Sequence, residues 1–111
     1  MDELESAYRA AKRNGQKPRV MLLTNQNNPV GVIYSRSVLE EILKWSRSRS
    51  LFVIVDEIYA LSVHKEDENF LSVVEIEGGL TSNDLAVVWA MSKDFGGSGL
   101  RAGVLMTGNA K

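Results

Sequence analysis

Residues able to do chemistry gather in three short segments of this sequence. Asn25 to Gly31 carries carboxamides, a proline and a glycine. Asp56 to Tyr59 carries two carboxylates and a phenol. Ser92 to Arg101 carries hydroxyls, a lysine amine and a guanidinium among glycines. Together Asn28, Asp56, Tyr59, Ser92, Lys93 and Arg101 supply hydrogen-bond donors and acceptors, both signs of charge and a nucleophilic amine. Singly, each has a plain structural reading. Asn28-Pro29 is a turn dipeptide, Asp56-Glu57 closes a strand, Lys93 is a surface lysine, and Gly96, Gly97 and Gly99 form a tight loop. Only their joint order and position make them informative.

The elements that must position these segments are readable from periodicity. Leu4, Ala7, Tyr8 and Ala11 follow helical spacing, and Asn14-Gly15 supplies a stop. Val20 to Leu23 is a continuous apolar run, the pattern of a strand buried on both faces. The next helix begins near Ser35 or Ser37, and Ser37 with Glu40 has capping-box spacing. Val38, Leu39, Ile42 and Trp45 give it a buried stripe. Leu51 to Val55 is a second buried strand, and a polar loop, His64 to Asn69, follows. Phe70 to Ile76 fits a short helix or irregular structure. Gly78-Gly79 is a turn, Leu85 to Trp89 a third strand, Ser92 to Gly99 a glycine-rich loop, and Ala102 to Met106 a fourth strand.

This order is that of an α/β chain, with three parallel strands expected at the centre of a sheet. The connection before the fourth strand is too short for a crossover helix, so that strand is expected to run antiparallel to the third. Each chemical segment then follows the carboxyl end of a strand, where open parallel sheets bind ligands.

Two chemistries compete for these segments. An apolar strand ending in Asp56-Glu57 is like the magnesium-binding segment of a P-loop ATPase, but the required G-x-x-x-x-G-K-[ST] loop is absent from the sequence. The glycines from Gly96 to Gly103 could suggest dinucleotide binding, but that pattern must open a helix, and here it leads into the apolar run Ala102 to Met106.

The three segments resemble, in order and spacing, those of class I/II aminotransferases, which are fold-type I pyridoxal-phosphate-dependent enzymes. Asn25-Gln26-Asn27-Asn28-Pro29-Val30-Gly31 is similar to N-P-x-N-P-x-G. Asp56-Glu57-Ile58-Tyr59 is similar to D-E-x-Y. Ser92 to Gly103 is similar to S-K-x-x-G-x-x-G-x-R-x-G. Asp-Glu-Ile-Tyr together with Ser-Lys-Asp-Phe-Gly leans toward the aminocyclopropane-carboxylate synthase branch. The resemblance implies part of a three-layer α/β/α large domain, mostly parallel with a last antiparallel strand.

It also implies a cofactor, pyridoxal 5'-phosphate, and a role for each residue. Lys93 forms the internal aldimine with the cofactor aldehyde and later acts as base at the substrate α-carbon. Asp56 pairs with the pyridinium nitrogen, and Asn28 and Tyr59 hydrogen-bond the phenolic oxygen of the ring. Arg101 holds the phosphate. Ser92 is a further candidate phosphate ligand. Two positions depart from the pattern. Gln26 stands where proline is usual, which is expected to loosen the turn. Ala90 stands where many relatives carry a phosphate-binding Ser or Thr.

Composition bounds the remaining possibilities. The chain has 111 residues, 44% hydrophobic and 24% charged, with net charge -1. That is enough for one small globular unit. The densest basic stretch, Lys44 to Arg49, reads as a solvated helix end, and nucleic acid is not an expected partner. With no cysteine, disulfides and thiolate metal sites are excluded. The acidic N-terminus is unlike a signal peptide, and no apolar run approaches the length of a membrane span. A cytoplasmic location is therefore expected, with His64 in a surface loop.

Residues 1–111 are thus expected to be a fragment of a cofactor-binding large domain, without its N-terminal part or the C-terminal small domain. The parent is expected to be a homodimer acting on an amino-acid substrate, by transamination or by elimination with ring closure. The fragment alone is expected to be marginally stable and inactive. The alternative is a non-catalytic truncated remnant, or a dimerising or regulatory module of the same fold.

Overall fold

Four strands hydrogen-bond in chain order: β1 (Val20–Thr24), β2 (Phe52–Asp56), β3 (Leu85–Ala90) and β4 (Gly103–Thr107). The computed structural model describes residues 1–64, 69–76 and 82–109. The first three strands are parallel, and β4 runs antiparallel to β3, as the short connection requires. Helix α1 (Asp2–Arg13) precedes β1, α2 (Arg36–Ser48) joins β1 to β2, and α3 (Met91–Asp94) is a single turn after β3.

The register places Leu23, Val55, Val87 and Met106 in one row across the sheet. Alternation puts Val53 and Leu85 on the same face. These residues pack with Leu39, Ile42 and Leu43 of α2 to form the core. Helix α1 lies beside α2. Tyr8 and Trp45 meet edge to face at 5.8 Å, and the Arg49 guanidinium stands 4.5 Å from the Trp45 ring. Glu5 accepts from Arg9 at 2.6 Å and from the Trp45 indole at 3.0 Å, and it pairs with Arg49. These donors, Arg9 foremost, hold the Glu5 carboxyl below the usual carboxylate range.

Several expectations need correction. Strand β1 is at the sheet edge rather than the centre, and it is not buried on both faces: Val20 and Leu22 are exposed. On that second face lie Leu22 and its register partner Ile54, with the exposed Leu105 of β4. Among the described residues the helices cover the opposite face, so the apolar pattern records two-sided burial that only one side receives here.

The α2 cap is Ser35, whose hydroxyl accepts from the Val38 amide at 3.4 Å. The backbone leaves the extended region at Ser35, so Ser37 already lies in the first turn and the Ser37–Glu40 box does not form. Of the expected buried stripe, Leu39 and Ile42 are buried, Trp45 is half-buried and Val38 is exposed; Leu43 and Ser46 complete the buried face.

Ser92 to Gly99 is not simply a loop. Part of it is the α3 turn, and Ser98–Leu100 forms a 3-10 turn. The segment from Phe70 to Ile76 contains a 3-10 turn at Val73–Glu75. The Gly78-Gly79 turn and residues 65–68 of the polar loop lie outside the described residues. Gly103 opens β4, not a helix. A Cβ there would meet the Trp89 carbonyl oxygen at 2.9 Å, so glycine permits the pairing with Ala90. Among the described residues no helix is long and apolar enough to cross a membrane.

Candidate functional site

The parallel ladder delivers the three chemical segments to one end of the sheet. Pairing extends past the strands: the Asn25 amide donates to the Asp56 carbonyl and the Glu57 amide to the Val88 carbonyl, both at 2.9 Å. Asn25 itself is fully buried. Its Nδ2 donates to the Leu71 carbonyl at 3.3 Å, and its Oδ1 accepts from the Tyr34 amide at 3.1 Å. A buried carboxamide bonded on both atoms fixes its surroundings, because losing either partner strands a desolvated polar group.

Asn28, Tyr59 and Lys93 come together. Asn28 Nδ2 donates to the Tyr59 hydroxyl at 3.4 Å, and Lys93 Nζ lies 5.9 Å from the centre of the Tyr59 ring. Gln26 Nε2 donates to the Tyr59 carbonyl at 3.1 Å. A concavity of about 230 Å³ opens between these loops, walled by Gln26, Asn28, Pro29, Tyr59 and Ser62 among others.

The other expected residues stand nearby in the chain but do not bond to that trio. Asp56, half-buried at the end of β2, accepts from the Ile58 amide through Oδ1 at 3.1 Å, a local turn that leaves Oδ2 without a partner among the described residues. Ser92 is half-buried in α3. Arg101 is exposed; Nη1 donates to the Ser98 carbonyl at 3.1 Å, and its backbone is left-handed, with φ 52°. That conformation is uncommon for a non-glycine residue. Ala90 sits at the N-cap of α3 and supplies no side-chain cap.

Two residues with no assigned role in the sequence reading are central to the geometry. Asp94 accepts from the Leu61 amide at 3.1 Å, the Trp89 indole at 2.9 Å and the Ser62 hydroxyl at 2.5 Å. Glu57 is buried beneath the site, where Oε1 accepts from the Val73 amide at 2.9 Å. Burial pushes its carboxyl up from the usual range; hydrogen bonds from Ser72 and Val73 offset part of this, and the Glu75 charge adds to it. In the sequence both lie within the resembling segments, Glu57 in Asp-Glu-Ile-Tyr and Asp94 in Ser-Lys-Asp-Phe-Gly, but spacing gives neither a partner.

Comparison with known proteins places the chain as a whole. Residues 1–111 match the family described as aminotransferase class I and II. The bovine 1-aminocyclopropane-1-carboxylate synthase-like protein 1 is 42% identical over 109 residues, covering 98% of this chain and 22% of that protein. The human "probable inactive 1-aminocyclopropane-1-carboxylate synthase-like protein 2" is 43% identical over 109 residues, 98% of this chain and 19% of that protein. The chain thus spans about a fifth of the length of these curated relatives. Among solved structures, OvoB superposes with a TM-score of 0.76 at 26% identity, over 83% of this chain and 24% of that one. Aspartate aminotransferase from Thermotoga maritima gives 0.72 at 27% identity, over 82% and 23%. A match that runs the length of the sequence, on a sheet of this topology, makes the chain a member of the class I and II aminotransferase family.

Proposed function

We propose that residues 1–111 are the cofactor-holding part of the large domain of a pyridoxal-phosphate-dependent enzyme acting on amino acids, with Lys93 as the residue that binds the cofactor covalently. The observation that carries this reading is the meeting of Lys93, Tyr59 and Asn28 from three chain segments. The donor set fits the group. The Lys93 amine is exposed and lies against a phenol ring, the Tyr59 hydroxyl has a carboxamide partner, Asp56 keeps one oxygen uncommitted, and most of the Arg101 guanidinium faces solvent.

When bound, pyridoxal phosphate supplies an aldehyde that an amine can capture and a ring that accepts an electron pair. Lys93 must shed its ammonium proton before Nζ can act as a nucleophile. Unprotonated, Nζ would also serve as the base for a proton on the substrate α-carbon. Asp56 would hold a proton on the ring nitrogen through its charge. Asn28 and Tyr59 would together hydrogen-bond the ring oxygen, and Arg101 would hold the phosphate as a permanently charged fork. Ser92 would offer a further hydroxyl to the phosphate.

On this reading the parent is a cytoplasmic homodimer, and its amino-acid substrate is recognised by residues outside this chain. A second reading is favoured by two observations: Ala90 removes a hydroxyl where a phosphate contact is expected, and one similar relative is named as inactive. In that reading the chain is a non-catalytic remnant or regulatory module.

Absorbance titration of the chain and of Lys93→Ala with pyridoxal phosphate separates the two. The proposal expects a visible band in the wild-type protein that the variant lacks. Identical spectra contradict it.

A further inference from the structure

We propose that Asp94 is a positioning residue that holds Lys93 in register with Tyr59. The proposal rests on the reading of Lys93 given above, and it deepens that reading by assigning a role to a position that the family pattern leaves open.

The need for such a residue follows from α3. It is one turn, Met91–Asp94, without a side-chain cap. So short a helix does not hold itself together. Backbone bonds tie it to its own segment, from Gly96 to Lys93, from Gly97 to Met91 and from Met91 to Ala102. Asp94 supplies the link outward. Its Oδ2 accepts from the Leu61 amide and its Oδ1 from the Ser62 hydroxyl, across 33 and 32 residues of sequence. The Ser62 amide in turn donates to the Tyr59 carbonyl at 2.9 Å, in the turn that presents the phenol. The third donor, the Trp89 indole, comes from the end of β3, and its ring is held from another side by Phe95, edge to face at 5.9 Å.

A single carboxylate therefore joins the turn bearing Tyr59, the end of β3 and the turn bearing Lys93. Hydrogen bonds to a charged acceptor are the stronger kind and fix direction as well as distance. Released from them, α3 keeps its place in the chain but loses its alignment with the phenol.

Asp94→Ala removes all three bonds. Asp94→Asn keeps them: its oxygen accepts from Leu61 and Trp89, and its amide donates to the Ser62 hydroxyl. The first readout needs no cofactor. It is the nuclear Overhauser contact between the Lys93 ε-methylene and the Tyr59 ring. The second is the yield of the borohydride-reduced pyridoxal phosphate adduct on Lys93. We expect Asp94→Ala to lose the contact and lower the yield by about tenfold or more, as misplacement of a reacting group does. Asp94→Asn restores both.

Should Asp94→Ala fail to fold, Ser62→Ala with Trp89→Phe removes two of the three donors, and is expected to weaken the same contact. Absence of the contact in wild type, or its survival in Asp94→Ala or in the double variant, overturns the proposal. If wild type shows the contact but takes no cofactor on Lys93, the functional reading fails, while the contact in the variants still decides the role of Asp94.

Discussion

Gln26 Nε2 donates to the Tyr59 carbonyl oxygen at 3.1 Å, joining the loop after β1 to the turn that carries the phenol. Proline is usual at this position in the family pattern, and its replacement was expected to loosen the turn. The carboxamide instead supplies a link that a proline ring cannot make. Gln26→Ala is expected to lower stability by about 0.5–1.5 kcal/mol. The midpoint of urea unfolding checks this, and an unchanged midpoint would show that the bond adds nothing.

Leu39 is fully buried where α2 meets the sheet. Leu39→Ala leaves a cavity there and should cost about 2–5 kcal/mol. In a chain of this size that is a large share of total stability. Calorimetry or urea melts are expected to show an early transition, or none.

Glu57 gives a pH signature. Its folded-state carboxyl is raised by burial, so the folded protein holds this proton more tightly than the unfolded chain. The contribution is fully present below the usual carboxylate value and is lost as pH rises through the raised one. Glu57→Gln keeps an acceptor for the Val73 amide without the charge. It should therefore gain stability over wild type at neutral pH, and the gain should vanish in acid. Comparing the two proteins across a pH series isolates this from Glu5, whose lowered carboxyl acts in the opposite direction.

Arg101 combines a left-handed backbone with a proposed phosphate-binding side chain. Strain of this kind is found at functional sites. Arg101→Gly relieves about 1 kcal/mol of it and discards the guanidinium. Thermal stability should rise or hold while affinity for pyridoxal phosphate falls. A fall in both would show that the lost Ser98 contact and the added chain entropy outweigh the strain relieved.

Much of the fold was legible because its signals are local. Val20 to Leu23, Leu51 to Val55 and Leu85 to Trp89 are apolar runs bounded by turn residues, and they form β1, β2 and β3. The direction of β4 followed from the length of one connection. What was not legible depends on distant partners. The exposure of Val20 and Leu22 is set by what packs on the second face, which no pattern within β1 reveals. The choice of Ser35 over Ser37 as cap turned on where the backbone leaves the extended region. Asn25 and Asp94 owe their roles to partners 46 and 33 residues away, so spacing could group them with the site but not say what they hold.

Of the lysines in the chain, Lys93 is the one proposed to bind pyridoxal phosphate. Borohydride reduction of the chain with the cofactor, followed by peptide mass mapping of every lysine, tests it most directly. One dominant adduct is expected, on Lys93, that weakens when pyridoxal without its phosphate is used. Adducts spread over Lys12, Lys17 and Lys44 as readily as Lys93 would contradict it.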